Sequence, residues 1–173
     1  MNLDAIVDFA NKAHEAVGRY NFQVTLTPEN IMVDEYALDQ LAWGSIKYGE
    51  EEIDKVPHDK RGVYAFAVHH PSNVLPPHGY VLYIGIAGRD SRRSLQERYR
   101  DYLNHKKVVK RPRIARMIGD WHKVLKFFFA PVGDNVSPED LKTLERQLNT
   151  ALMPPFSEGD LEAGTKAKRR AFR

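Results

Sequence analysis

Two short apolar runs, residues 62–68 and 80–86, constrain the fold of this chain more than any other feature of its sequence. The first run alternates small and large apolar side chains, and the second is rich in residues that favour strands. The loop between them, residues 69–79, contains three prolines, which cannot join a central strand. We therefore predict a β-hairpin with a long loop.

Further elements follow the hairpin. Ser94 is a suitable N-cap for a helix that runs to residue 103, and a proline suits the first turn of another helix at 112–121. Residues 124–130 predict a third strand, and Ser137 caps a final helix that ends at residue 152. The order β-β-α-α-β-α predicts an α+β fold with a small three-stranded antiparallel sheet flanked by helices and preceded by an N-terminal helical extension.

A seam near residue 58 separates this predicted core from an N-terminal region that is mostly helical. Apolar residues recur at helical spacing over 3–17, a short strand candidate follows at 22–26, and a second helical stretch lies near 36–46. The last residues are basic and of low complexity, which is typical of a frayed tail. The predicted parts are an accessory region at 1–58, a core at 59–160 and a basic tail at 161–173.

Charge is segregated along the chain, although the net charge is only +3. Residues 1–60 hold 5 Lys or Arg against 12 Asp or Glu, whereas residues 89–126 hold 13 against 4. Such a basic segment attracts a polyanion through counterion release, but a lone basic run is more often a solvated surface. As a nucleic-acid interface, the segment would use Arg89, Arg92, Arg93, Lys106, Lys107, Lys110, Arg111 and Arg113.

Composition excludes several other kinds of protein. The sequence has no cysteine, so disulfides and thiolate zinc sites are excluded. No apolar run is long enough to cross a bilayer and no signal peptide is visible, so we expect a cytoplasmic protein without membrane contact. Three histidines, His69, His70 and His78, form a rival metal constellation, but the prolines among them favour a surface loop over a zinc site.

Three side chains carry the chemistry that the sequence suggests. Tyr64 and Tyr83 lie on the two predicted strands of the hairpin, and Arg98 lies on the helix that follows. Two phenols and one guanidinium in that arrangement can converge on a phosphate, which suits phosphodiester hydrolysis. Taken alone, each has a plainer interpretation, because strand tyrosines are mostly half-buried aromatics and helix arginines are mostly solvated.

The order of these residues resembles the GIY-YIG nucleases over residues 61–157. Gly62-Val63-Tyr64 is similar to the first motif of the family, and Tyr83-Ile84-Gly85 is similar to the second. Arg98 is similar to the arginine of the family's first core helix, and Tyr102 follows it by one turn, as in relatives of the excision-repair incision subunit. The resemblance implies a metal-dependent DNA endonuclease of the repair or restriction kind.

The resemblance continues into the last helix, where Glu145 is similar to the family's metal-binding glutamate. It implies that Glu145 holds one divalent ion, Mg²⁺ or Mn²⁺, with water as most of the other ligands. Arg98 would bind phosphate oxygens through two parallel hydrogen bonds. Tyr64 would act as the base or as a water-orienting group with Tyr83 as its partner, and we expect the basic surroundings to lower the tyrosine pKa. The implied site is Tyr64, Tyr83, Arg98, Tyr102 and Glu145, supported by Gly62, Gly85 and Ser157.

Two positions depart from the family pattern. Ser157 stands where relatives carry asparagine, and it keeps a hydrogen-bonding group with a shorter reach. Ile86 stands where many relatives have a lysine just after the second motif. The sequence predicts that Arg89, Arg92 or Arg93 supplies the missing positive charge from the same loop.

Alternatives remain open at this point. The chain could be a nucleic-acid-binding protein that keeps the scaffold without cleavage, and its acidic N-terminal part could lie against the basic segment as an autoinhibitory element. The target could be a duplex site, a branched junction, damaged DNA or RNA. One active centre cuts one strand, so a duplex cut with both ends released together would favour a homodimer.

Overall fold

The computed structural model describes residues 3–24, 29, 32, 41–70, 78–89 and 93–157. These residues form an α+β fold in which a four-stranded antiparallel sheet is flanked by helices. The strands are β1 (Gly44–Lys47), β2 (Gly62–His70), β3 (His78–Ala87) and β4 (Leu125–Pro131). The helices are α1 (Leu3–Val17), α2 (Leu95–Leu103), α3 (His105–Val108), α4 (Pro112–Trp121) and α5 (Pro138–Leu152).

The predicted hairpin is confirmed as β2 and β3, which pair antiparallel along their whole length. Tyr64 lies opposite Gly85, and Phe66 lies opposite Tyr83, so these four residues share one face of the sheet. A register shift follows Phe66, as expected where a strand carries an extra residue. The predicted third strand is confirmed as β4, which pairs with β2 on the other side of the hairpin.

The sheet has four strands and not the three predicted. The strand order is β1-β4-β2-β3, and β1 occupies residues that were expected to end the helix at 36–46. Residues 36–40 lie outside the described ranges, and residues 41–43 are not helical. Ile46 is buried and pairs with Phe127 of β4, so a strand partner distant in sequence overrides the local helical pattern. The predicted division near residue 58 stays a prediction, although β1 lies in the same sheet as β2.

Capping explains where the confirmed helices begin. Ser94 and Glu97 form a capping box at α2, in which the Ser94 hydroxyl accepts from the Glu97 amide and the Glu97 carboxylate accepts from the Ser94 amide. Ser137 and Asp140 form the same arrangement at α5, and α4 begins at Pro112 as predicted. The helix predicted at 3–17 is confirmed as α1.

The N-terminal region contacts α4 just after α1. Arg19 forms an ion pair with Asp120 at 3.2 Å, and the rings of Tyr20 and Phe22 pack edge-on against Trp121. A strand was predicted at 22–26, but residues 22–24 are not in a strand and residues 25–26 lie outside the described ranges. No described helix is long and apolar enough to cross a membrane.

Two hydrophobic layers cover the two faces of the sheet. On one face, Tyr64, Phe66 and Phe127 pack against residues of α2 and α4, including Tyr102 and Met117. We call this the tyrosine face. The other face, which we call the aliphatic face, joins Val63, Ala65, Ile84 and Ile86 to Leu141 and Leu148 of α5. The alternation of side chains along β2 therefore assigns consecutive residues to two different environments.

Candidate active site

Three tyrosine rings meet on the tyrosine face. Tyr64 and Tyr102 are fully buried and Tyr83 is partly exposed, and ring centroids lie 6.2 Å apart for Tyr64 and Tyr83 and 5.7 Å apart for Tyr64 and Tyr102. The hydroxyl oxygens of Tyr64 and Tyr102 are 2.6 Å apart, which is a short hydrogen bond between two phenols. A strand, its hairpin partner and the next helix thus bring three hydroxyl-bearing rings together, as predicted for these residues.

Glycine makes room for this arrangement. A Cβ atom at Gly85 would lie 2.5 Å from the Tyr64 hydroxyl oxygen, so any other residue would push the buried phenol out of place. A Cβ atom at Gly62 would overlap the backbone carbonyl of Ala130 in the neighbouring strand β4. The two glycines of the motifs are therefore needed by the packing of this sheet, whatever the chemistry of the site.

Two guanidinium groups border the three hydroxyls. Arg98 donates from Nε to the Tyr64 hydroxyl at 3.0 Å, and its guanidinium carbon is 5.6 Å from the centre of the Tyr102 ring. Arg111 donates from Nη2 to the hydroxyls of both Tyr83 and Tyr102 at 3.4 Å, and it lies over the Tyr102 ring at 5.0 Å. Five side chains from two strands, one helix and the residue that precedes α4 therefore form one connected cluster.

Burial sets the protonation of this cluster. Burial, followed by the neighbouring phenols of Tyr102 and Tyr83, raises the pKa of Tyr64 well above its ordinary value despite the charge of Arg98. Burial likewise raises the pKa of Tyr83. The expectation that the basic surroundings lower the tyrosine pKa is therefore wrong, because desolvation of the phenolate outweighs the cations. At neutral pH both hydroxyls keep their protons.

The two arginines stay charged. Burial opposes the charge of Arg98, but Tyr64 and Tyr102 outweigh this effect, and the pKa of Arg98 is raised. The same balance, with Tyr102 as the main partner, raises the pKa of Arg111. The cluster therefore combines neutral hydroxyl groups with fixed positive charge, a combination that suits the binding of an anion.

Asp101 adds a carboxylate that the sequence analysis missed. It lies on α2 between Arg98 and Tyr102, and it is buried. Arg93 lies 2.8 Å and Lys107 2.6 Å from its oxygens, and Arg98 Nη1 lies 3.6 Å away. Burial opposes ionisation, but the hydrogen bond from Lys107 and the nearby cations hold the pKa of Asp101 below its ordinary value. The three-residue spacing from Arg98 was the only sequence signal for this contact.

Glu145 is the one member of the predicted catalytic set that is not in this cluster. It lies on α5 one turn from both Leu141 and Leu148, the leucines that pack on the aliphatic face, and it is only 5% exposed. The structure thus assembles Tyr64, Tyr83, Arg98 and Tyr102 and places Glu145 on the helix behind the sheet.

Asp140, near the start of α5, takes part in helix capping. Asp140 accepts hydrogen bonds from the amide and hydroxyl groups of Ser137, at 3.1 and 2.7 Å. Within the described ranges, no group of three or more His, Asp or Glu side chains is arranged to hold a metal ion. Glu145 offers a single carboxylate, an oxygen donor that suits a hard ion such as Mg²⁺ or Mn²⁺ completed by water.

Ser157 supports the strand that carries Tyr83. Its hydroxyl accepts from the backbone amide of Ile84 at 3.0 Å and donates to the carbonyl of Ile84 at 3.4 Å. The Ser157 side chain is buried, so these bonds fix the turn after α5 to the middle of the Tyr83-Ile84-Gly85 segment. The shorter side chain therefore reaches a backbone partner in this chain.

The basic side chains predicted to bind nucleic acid lie close to the cluster in sequence. Arg89, Arg93, Lys106, Lys107, Lys110 and Arg113 are exposed, and Arg111 is partly buried in the cluster itself. Arg92 lies outside the described residues, as do residues 71–77 of the histidine loop and the tail at 161–173. Arg111 supplies a positive charge beside Tyr83, and the prediction that the loop after the second motif supplies one stays a prediction. Nothing in the sequence revealed the contact of Arg111 with Tyr83, because it spans 28 residues.

Comparison of the chain with protein-family models, curated proteins and solved structures finds no match.

Proposed function

We propose that the protein is a metal-dependent endonuclease that hydrolyses phosphodiester bonds in DNA, with a site of the GIY-YIG type. The observation that carries the proposal is the cluster in which Tyr64, Tyr83 and Tyr102 meet Arg98 and Arg111. Neutral hydroxyls beside fixed guanidinium charge are suited to bind a phosphate and to stabilise the negative charge that grows during hydrolysis.

Arg98 is the main phosphate ligand in this proposal. Its Nε is used by the Tyr64 hydroxyl, so the phosphate would take the two terminal nitrogens. Arg111 donates to the hydroxyls of Tyr83 and Tyr102 and would neutralise a second non-bridging oxygen. Lysine at either position would give one point charge in place of a planar pair of donors.

The tyrosines take different roles because their surroundings differ. Tyr64 is fully buried and accepts from Arg98, so it fixes the orientation of that guanidinium. Tyr83 is partly exposed, and its raised pKa keeps it protonated, so its hydroxyl would orient the attacking water or donate to a phosphate oxygen. Neither residue is suited to remove a proton directly at neutral pH.

Glu145 would hold the divalent ion. When bound, such an ion would supply positive charge that neutralises the leaving oxygen. One carboxylate completed by water suits one ion and not a pair of ions. Substitution of Glu145 should therefore lower the rate of cleavage and leave the affinity of the basic surface for DNA in place.

A digestion assay tests the proposal. The protein is incubated with supercoiled, linear and branched DNA and with RNA, in Mg²⁺, Mn²⁺ or EDTA. We expect nicking of DNA with either ion and none in EDTA, and slower nicking by Tyr83→Phe. A duplex cut with both ends released together would support a homodimer. No hydrolysis of any substrate with either ion would refute the endonuclease proposal.

A non-cleaving nucleic-acid-binding protein is the second candidate. The position of Glu145 favours it, since that carboxylate is almost fully buried on the helix behind the sheet. In that case DNA affinity at low salt would be the same with Mg²⁺ and EDTA, and Glu145→Gln would bind like wild type. Cleavage by wild type that is lost in Glu145→Gln would reject this candidate.

A further inference from the structure

Asp101 collects three cations around one buried carboxylate. Arg93 approaches with two nitrogens, at 2.8 Å and 3.2 Å, Lys107 Nζ is 2.6 Å away, and Arg98 Nη1 is 3.6 Å away. Three positively charged side chains therefore face one negatively charged side chain. Without the carboxylate, side chains of like charge would repel one another and spread into solvent.

Asp101 and its three cations differ in how far they are exposed to solvent. The side chain of Asp101 is 9% exposed, whereas those of Arg98, Arg93 and Lys107 are 28%, 43% and 53% exposed. The carboxylate therefore lies beneath its cations, and the cations lie between it and solvent. An anion arriving from solvent meets the positive layer first.

Arg98 links this group to the tyrosine cluster. The same guanidinium donates to the Tyr64 hydroxyl through Nε and approaches Asp101 through Nη1. The two anion-attracting groups are therefore adjacent and share one side chain. Consecutive phosphates of a nucleic-acid strand are the repeating anions that such neighbouring sites would bind.

We propose that Asp101 is a positioning residue that orients Arg98 and holds Arg93 and Lys107 as a second phosphate subsite, next to the phosphate bound at the tyrosine cluster. The inference rests on the proposed function, because it concerns the neighbouring phosphate of the same substrate. Asp101 is negatively charged, yet in this proposal it strengthens the binding of a polyanion. Removal of its charge should therefore weaken DNA binding, whereas removal of a negative charge elsewhere should not.

The test compares two aspartates that both bridge cations. Asp101→Asn and Asp120→Asn each remove one negative charge and so raise the net charge by one. Asp120 lies on α4 between Arg19 and Arg116, outside the cluster. Affinity for a short fluorescent DNA duplex is measured in EDTA over a range of salt. We expect Asp120→Asn to bind as tightly as wild type or more tightly. We expect Asp101→Asn to bind about three- to tenfold more weakly, with a salt slope reduced by about one.

A second pair of variants covers the case in which Asp101→Asn unfolds. Lys107→Met and Arg93→Gln should each reduce the salt slope by about one, and Lys107→Met should have little effect when Asp101 is already Asn. Asp101→Asn that binds as tightly as Asp120→Asn, or unchanged salt slopes in both cation variants, would overturn the inference and leave the endonuclease proposal intact. Absence of DNA binding by wild type at low salt would overturn both.

Discussion

The two faces of the β2–β3 hairpin are built from consecutive residues and have opposite chemistry. Val63 and Ala65 point to the aliphatic face, where α5 covers them with leucines, while Tyr64 and Phe66 point to the tyrosine face. The aliphatic face is held by the packing of these apolar side chains. The tyrosine face contains buried hydroxyl groups that need polar partners, and it obtains them from Arg98 and Arg111.

The contrast indicates where this chain can change its interactions without losing its fold. Hydrogen bonds from a guanidinium to a phenol can be exchanged for bonds to a phosphate, because both partners accept the same donor. Close packing of aliphatic side chains cannot be exchanged in this way. We therefore expect substrate to bind on the tyrosine face, and only Glu145 to contribute from the helix of the aliphatic face.

Substitution of Arg98 should have the largest effect. Arg98→Ala removes the guanidinium that binds both Tyr64 and the substrate phosphate, and we expect single-turnover DNA cleavage to fall about a hundredfold or more. Arg98→Lys should fall nearly as far, because lysine lacks the planar donor pair. Arg146→Ala, an exposed arginine on α5, is the matched control and should cleave like wild type. Equal cleavage rates for the Arg98 and Arg146 variants would contradict the expectation that substrate binds on the tyrosine face.

Glu145→Gln tests the contribution from the other side of the sheet. The substitution keeps the shape of the side chain and removes the charge that would hold the ion, so we expect cleavage to fall about tenfold or more and to need a higher Mg²⁺ concentration. Asp140→Asn on the same helix should leave the Mg²⁺ dependence unchanged, because the Asp140 carboxylate accepts a hydrogen bond from the amide of the N-cap residue Ser137. An unchanged Mg²⁺ titration for Glu145→Gln would mean that Glu145 serves only the packing of α5.

Phenylalanine variants separate structure from chemistry among the tyrosines. Tyr64→Phe deletes a fully buried hydroxyl with two close partners, and we expect it to lower the free energy of unfolding by about 1–3 kcal/mol. Tyr83→Phe deletes a partly exposed hydroxyl that accepts from Arg111 at 3.4 Å, and should cost less than about 1 kcal/mol. Both should slow cleavage. Urea unfolding that ranks the two variants in the reverse order would contradict the assignment of Tyr64 as the buried anchor.

Stability should depend on alkaline pH through the same tyrosines. Burial raises the pKa of Tyr64 and Tyr83 in the folded state, while in the unfolded chain each phenol titrates near pH ~10. The folded state then retains protons that the unfolded state has lost. The free energy of unfolding should therefore be insensitive to these groups below about pH 10 and fall above it, by up to about 1.4 kcal/mol per pH unit for each tyrosine.

Urea unfolding between about pH 8 and pH 11 measures this decline in the free energy of unfolding, and Tyr64→Phe should make the decline less steep. A stability that rises with pH in this range would show that the cations dominate over burial.

Local signals in the sequence predicted most of the fold. The capping residues Ser94 and Ser137 and the alternation of apolar residues in β2 act over a few positions, so they were visible without the structure. The strand β1 was missed because its pairing with β4 joins residues about 80 positions apart in the chain. Sequence patterns do not reveal such long-range pairing.

The site was predicted in part for the same reason. Tyr64, Tyr83, Arg98 and Tyr102 belong to neighbouring elements, and the structure brings them together. The contacts of Arg111 and Asp101 with this group depend on how α2 and α4 pack on the sheet, which a motif does not specify. The direction of the tyrosine pKa shift was also wrong, because the extent of burial outweighed the number of nearby cations.

The central claim is that a nucleic-acid phosphate binds on the tyrosine face, and arginine side-chain NMR tests it most directly. The Nε–H signals of Arg98, Arg111 and Arg146 are assigned from single substitutions and followed during titration with a short DNA duplex in EDTA. We predict that the signals of Arg98 and Arg111 shift in proportion to bound DNA while that of Arg146 stays in place. Movement of Arg146 with no change at Arg98 and Arg111 would contradict the claim.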